Sequence, residues 1–374
     1  MRDRITSIIA AYSAQGIHRT GTDIDVASAQ WLSKQIETLG LIPELVNFEF
    51  NRFVYESAQI TVGDTVIEGI PCYDCPAQSS TITGQLTAPE GDGDIVVVTT
   101  ESGGNLTDEL RNSSSYQALI VVTPPHMPAD GIALINAEQF MSPVGMPVLQ
   151  VSNEHGALLT QLSSGGNEAT LVIKASSEAA TGINVGTTIA GRQTELAPLV
   201  IMTPRSGWWR NASERGGGIA CWLEIMRLIH ERGSDRDVIF TANTGHELGH
   251  TGYHHFVAEH PELESAAHAW LHLGANFAAK DGQIRLQYSD AEIQMLAQTA
   301  ANIAGIQEYD EVLGRRPGGE ARAVYDAGGR YLSILGGNPL FHHPADVWPE
   351  AVDLDKTVRC CDMLNAVAVT MSSA

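Results

Sequence analysis

From Asn184 to its end the chain alternates short apolar runs with amphipathic stretches, and no other feature restricts its fold as tightly. Strands are predicted at 184–189, 199–203, 238–240, 269–273 and 331–335, and helices at 217–229, after Gly252, at 290–304 and at 354–369. Such alternation predicts an α/β fold whose sheet is covered by helices on both faces. Ligand groups in such sheets gather at the carboxyl ends of strands. Four polar clusters fall there: 204–210, 245–250, 272–276 and 341–346.

The first 45 residues read as helix, turn, helix, with Asp23 or Asp25 placed to cap the second. The alternation Val46-Asn47-Phe48-Glu49-Phe50 then predicts strands up to about Ile70. Residues 65–178 have a different texture, rich in Gly, Ser, Thr and Pro. They carry short β-branched runs at 82–86, 94–98, 118–122, 148–151 and 169–173, with one helix at 155–162. At 374 residues the chain exceeds the usual size of a single core. The expected organisation is a discontinuous α/β domain, residues 1–64 and 179–374, interrupted by a β-rich insert at 65–178.

Acidic residues outnumber basic ones 44 to 22, a net charge of −22. A field of that sign repels phosphate backbones and argues against a nucleic-acid partner. No run is long enough to span a bilayer, and the N-terminus reads as an amphipathic helix, not as a signal peptide. Five cysteines without a secretion signal suit a reducing, cytoplasmic compartment. Cys72 and Cys75 lack the second pair a zinc knuckle needs, so they read as structural thiols.

The densest chemistry lies in His246-Glu247-Leu248-Gly249-His250, which fits H-E-x-x-H. On a helix this spacing would set both histidines on one face for zinc, with Glu247 as general base. A competing reading is a helix start with solvated polar residues. Upstream, Arg205-Ser206-Gly207-Trp208-Trp209-Arg210 places arginine forks beside tryptophan walls. It suggests a carboxylate-bearing substrate bound by Arg205, Trp208 and Arg210. The alternative is tryptophans in the core and arginines paired with local acids. The loop signal Arg315–Glu320 makes Glu320 or Arg322 a candidate to line the same cleft.

Together, several segments resemble the di-zinc aminopeptidase family (M28 peptidases), which also contains glutamate carboxypeptidase, glutaminyl cyclase and the transferrin receptor. Gly182–Gly191, Ala197–Thr203, the glycine-rich Gly216–Glu224, Gly245–Gly252 and Phe341-His342-His343-Pro344-Ala345-Asp346 carry the likeness. It implies a three-layer α/β/α mixed sheet of the zinc-aminopeptidase type and an insert similar to the protease-associated domain. Carried over by position, the first metal histidine falls near Pro204, where no ligand exists. The bridging aspartate falls on Glu214, the catalytic glutamate on His246, the next metal glutamate on Glu247, and the last histidine on His342. The remaining carboxylate falls near His272.

Three readings follow. In the first, one divalent ion, zinc first among candidates, is held by Glu247, His342 and Glu214 or His272, with His246 as base and Asp346 orienting an imidazole. In the second, His246 and His250 bind the ion, Glu247 is the base, and His342 or His272 completes the set. In the third, the fold is a non-catalytic binding or interaction protein. The expected activity is hydrolysis of an amide or peptide bond in a small-molecule or peptide substrate, with no membrane partner and homo-oligomerisation left open.

Overall fold

The computed structural model describes residues 1–100, 108–143 and 145–374. Helices α1 (Arg2–Ala14) and α2 (Asp23–Thr38) lead into a long strand, β1 (Glu44–Val62), followed by β2 (Thr65–Glu68) and β3 (Ile70–Pro71). Next come β4 (Ser80–Thr87), β5 (Ile95–Thr99), α3 (Asp108–Arg111), β6 (Ala118–Val122), β7 (Val148–Val151) and α4 (Gly156–Ser164). The predicted strands at 169–173 and 184–189 are one element, β8 (Glu168–Ile189). Its ladder with β1 runs from Glu44↔Gly186 to Thr61↔Thr170. Gly182 keeps that ladder continuous, because any Cβ there would lie 2.3 Å from the Phe48 ring.

The carboxyl half of the chain supplies β9 (Leu199–Pro204), α5 (Gly217–Arg232), β10 (Val238–Asn243), α6 (Thr251–Glu259), α7 (Leu263–Ala266) and β11 (Ala269–Leu273). It ends with β12 (Ile284–Tyr288), α8 (Ala291–Ile303), β13 (Asp310–Leu313), α9 (Ala321–Asp326), β14 (Tyr331–Gly336) and α10 (Leu354–Ser372). The fourteen strands run in the order β13-β12-β14-β11-β9-β10-β8-β4-β5-β6-β7-β3, with β1 on β8 and β2 on β1. β14, β11, β9 and β10 are parallel neighbours, while β8 and β12 pair antiparallel, so the sheet is mixed as expected. β12 and β13 were not predicted, since Arg285, Asp310 and Glu311 break up their apolar runs.

Helices cover both faces of the parallel strands. Leu199, Ile201, Leu271 and Leu273 face α1, α5, α8 and α10, while Val200, Met202 and Trp270 pack with Tyr253, Phe256 and Val324 from α6 and α9. Strand alternation puts His272 on the Trp270 face, and the register sets it opposite Ser333 of β14. The glycine-rich start of α5 is explained by close approach: a Cβ on Gly217 would lie 2.4 Å from that of Ala278. A separate core, Ile60, Leu86, Ile95, Ile120, Leu149 and Leu171 among others, fills the region of β4 to β7. No helix among the described residues is long and apolar enough to cross a membrane.

The cap of α2 differs from expectation. Thr22 accepts the Asp25 N–H, while Asp25 turns inward to the buried Arg205 at 2.9 Å. Just before it, buried His18 stacks on Tyr12 with ring centroids 3.8 Å apart. Burial depresses its pKa to about 3. Folded His18 thus stays neutral where the unfolded chain is protonated, so its contribution is present above about pH 6.5 and is lost as pH falls towards 3. Between pH 6.5 and 4.5 this amounts to roughly 2–3 kcal/mol. Urea denaturation at the two pH values should show that loss in the native chain and a reduced loss in His18→Phe, which keeps the stack.

Candidate metal centre

Because β9, β10, β11 and β14 are parallel neighbours, the loops leaving their carboxyl ends meet at one edge of the sheet. The residues predicted for one site divide there into two clusters.

The first cluster holds Glu214, Glu247 and His342, all buried. Glu214 sits in a wide turn, Ala212–Gly216, between β9 and α5. Its carboxylate meets the guanidinium of Arg215 at 2.8 Å and the His342 ring at 3.6 Å. Asp346 accepts the Ser213 and Glu214 backbone N–H groups at 2.8 and 3.0 Å, and burial pushes its pKa up to about 7. Glu247 is engaged on both oxygens: Thr20 donates its N–H and hydroxyl to one, at 2.8 and 2.7 Å, and Ser206 donates to the other at 2.7 Å.

The second cluster forms on the Trp270 face. The His246 ring lies 2.7 Å from one oxygen of Glu320, and the His272 ring lies 3.2 Å from the other. As a carboxylate only accepts, the Nε2–H of a neutral His272 donates to it, and Nδ1 accepts from the Ser333 hydroxyl at 2.8 Å. The His250 ring centroid is 4.8 Å from that of His246. One ligand atom each from His246, His250 and Glu320 lies within 4.8 Å of the others. Burial holds His250 neutral. Burial alone would raise the Glu320 pKa, but the neighbouring imidazoles, including the hydrogen bonds from His246 and His272, hold it well below the carboxylate range.

The two histidines meet by a route the motif does not suggest. Residues 245–250 form a tight turn, not a helix, and α6 begins at Thr251. Gly245, Gly249 and His250 adopt φ of 78°, 63° and 57°, which coil the chain so that both rings face Glu320 while Glu247 faces Thr20. A segment of the insert region lies across this edge: Leu134 N–H donates to the His342 carbonyl, Ala137 N–H to that of Glu247, and Arg322 reaches Glu138 at 3.2 Å.

Set against the expectations, His246 and His250 come together, but with Glu320 as third donor; His272 borders the group through Glu320. Of the predicted set, Glu214 and His342 approach at 3.6 Å, while three donors from Thr20 and Ser206 hold Glu247, and the trio is not among the groups of described residues whose ligand atoms converge within 4.8 Å. Arg205 is corrected from substrate fork to internal ion pair, as its guanidinium also donates to the Ile183 carbonyl. Trp208 is buried among Phe53, Tyr73 and Leu248, and Arg210 is exposed. His343 faces away from His342, against Gly131. Thr20, Ser206 and Ser333 carried no signal in sequence, since hydroxyl residues of this kind occur in every loop.

The residues fit one metal ion. Two imidazoles and a carboxylate make a three-ligand set of the kind catalytic zinc uses. In the first cluster Arg215 approaches Glu214 at 2.8 Å, but neither carboxylate oxygen has a hydrogen-bond partner. A second group of possible ligands, Cys72, Asp74 and Cys75, has Arg111 at 2.5 Å from Asp74.

Comparison with solved structures agrees with the architecture. A zinc aminopeptidase from Bacillus subtilis superposes with a TM-score of 0.79 at 19% identity, over 98% of this chain and 94% of its own. An aminopeptidase from Aneurinibacillus sp. strain AM-1 gives 0.74 at 17% identity, over 100% and 94%. A peptidase M28 precursor from Shewanella amazonensis gives 0.73 at 14%, over 100% and 95%. No curated protein sequence matches significantly. The fold is therefore that of the zinc aminopeptidases. Residues 206–367 match the model of Peptidase family M28.

Removing the charge of Arg215 leaves Glu214 buried and unanswered, a loss of about 3–5 kcal/mol. Arg215→Met should lower urea stability by that order, and adding Glu214→Gln should restore much of it. Additive losses in the double variant would show that the pair is not coupled.

Proposed function

We propose that the chain is an aminopeptidase-like hydrolase of a peptide or amide bond that works with one divalent ion, zinc, held by His246, His250 and Glu320. The convergence of those three donors carries this reading. A divalent ion there would supply Lewis acidity to polarise a scissile carbonyl and to acidify water. The chain's own residues fix the donors. Ser333 sets the tautomer of His272, His272 holds the second oxygen of Glu320, and Arg322, 3.4 Å from His250 Nε2, lies between that ring and Glu138. The five free, buried thiols support a reducing, cytoplasmic setting.

A non-catalytic reading draws on the other cluster, where Glu214 and Glu247 are tied to Arg215, Thr20 and Ser206. Metal titration followed by calorimetry separates the two. Zinc should bind at one site per chain, Glu320→Gln and His250→Ala should abolish it, and Glu214→Gln should leave the stoichiometry unchanged. Hydrolysis of peptide or aminoacyl-amide substrates should then require zinc and disappear in Glu320→Gln. Zinc uptake that ignores Glu320→Gln removes this site; uptake without any hydrolysis leaves the binding protein.

A further inference from the structure

A cavity of about 310 Å³ opens beside the turn that carries the two histidines. Arg19, Thr20, Arg52, Tyr55, Tyr73 and Leu248 line it. Leu248 lies between His246 and His250 in sequence, and Thr20 is the residue that donates to Glu247, so the cavity wall and the candidate metal centre share one turn. Two arginines line this pocket, in a chain with a net charge of −22.

The two arginines differ in how their charge is answered. Arg52 is paired with Glu178 and also donates to the Gly21 carbonyl. Arg19 has no carboxylate within ion-pairing distance among the described residues. Its guanidinium donates to the Tyr73 hydroxyl and lies 5.1 Å from the centre of that ring. Three interior arginines, by contrast, have acids at hand: Arg205 has Asp25, Arg215 has Glu214 and Arg111 has Asp74, while buried Arg236 donates to the Ala197 and Ser373 carbonyls. Burial lowers the pKa of Arg19, the cost of a cation kept from water without a full partner. Glu247 attracts it through space, but both oxygens of Glu247 are held by Thr20 and Ser206.

We propose that this cavity binds the carboxylate group of a substrate, with Arg19 as the fork that receives it and Tyr55 and Tyr73 as its walls. A planar guanidinium matches a carboxylate with two parallel hydrogen bonds, and aromatic walls suit the carbon skeleton behind it. The volume accommodates one residue of a peptide, which places the substrate class among peptides or amides bearing a free acid group. That the occupant is a substrate rests on the hydrolase reading; that the pocket takes a carboxylate does not.

Isothermal titration of the full-length protein, zinc-loaded and chelator-treated, tests the pocket apart from turnover. The probes are N-acetyl-alanyl-glutamate, the neutral N-acetyl-alanyl-glutaminamide and inorganic phosphate. The acid should bind in both states and the neutral compound should bind more weakly. Arg19→Met should weaken the acid by at least about tenfold, as loss of a charged hydrogen-bond partner does, while zinc uptake stays unchanged. Arg19→Lys and Tyr55→Phe should give smaller losses, and they decide the matter if Arg19→Met does not fold. Equal binding of acid and amide, indifference to these substitutions, or preference for phosphate overturns the assignment. Acid binding without hydrolysis of any acid-bearing peptide removes the substrate role and keeps the pocket.

Discussion

Five carboxylates, those of Asp25, Glu214, Glu247, Glu320 and Asp346, lie buried at the edge of the sheet where β9, β10, β11 and β14 end. A carboxylate taken out of water is tolerated only if paired, hydrogen-bonded or protonated, and each of these is answered differently. Asp25 has Arg205, Glu214 has Arg215, Glu247 has hydroxyls and a backbone N–H, and Asp346 has two backbone N–H groups with a pKa near 7. Glu320 alone is answered by imidazoles, which can exchange a proton for a metal ion. Where the molecule can do metal chemistry is thus decided by which partner each buried acid received.

Much of the architecture could be read from the chain because its central strands are continuous apolar runs with few alternatives. Leu199–Pro204 and Ala269–Leu273 are buried throughout, and their boundaries match the prediction within a residue. Long-range pairings were not legible. Arg205 and Asp25 are 180 residues apart, and nothing near either one tells an internal pair from a substrate fork. Glu320 is 74 residues from His246 and joins it only because alternation and register place His272 and Ser333 on the face where α9 begins. The H-E-x-x-H spacing picks out two histidines that do approach each other, but the geometrical reason behind it does not hold here. On a helix they would share a face by the turn of the helix; in this chain a left-handed turn brings them together.

That turn belongs to a wider pattern. Of the seven non-glycine residues with positive φ among the described residues, four stand at this edge: Asn211, His250, Asn276 and His342. Such conformations cost energy and persist where surrounding contacts over-determine them. Those contacts are present: Asn211 receives the N–H groups of Arg215 and Gly216 on its carbonyl, and the His342 carbonyl is tied to Leu134 of the region that lies across the edge. Side chains carried on such backbone keep their directions, which a donor set or a binding pocket requires.

The two clusters differ in how their buried acids meet positive charge. In the first, Arg215 brings a positive charge that is covalently fixed, permanently protonated and without vacant coordination sites. It neutralises Glu214 as a cation would, yet it can neither polarise a carbonyl nor acidify water. With that charge in place, a second positive ion beside Glu214 would face repulsion from a guanidinium 2.8 Å from the carboxylate, at a depth where screening by water is weak. In the second cluster His246, His250 and Glu320 each bring one ligand atom within 4.8 Å of the others. There the neutral imidazole of His250 and the anionic Glu320 already have the protonation states that ligation demands.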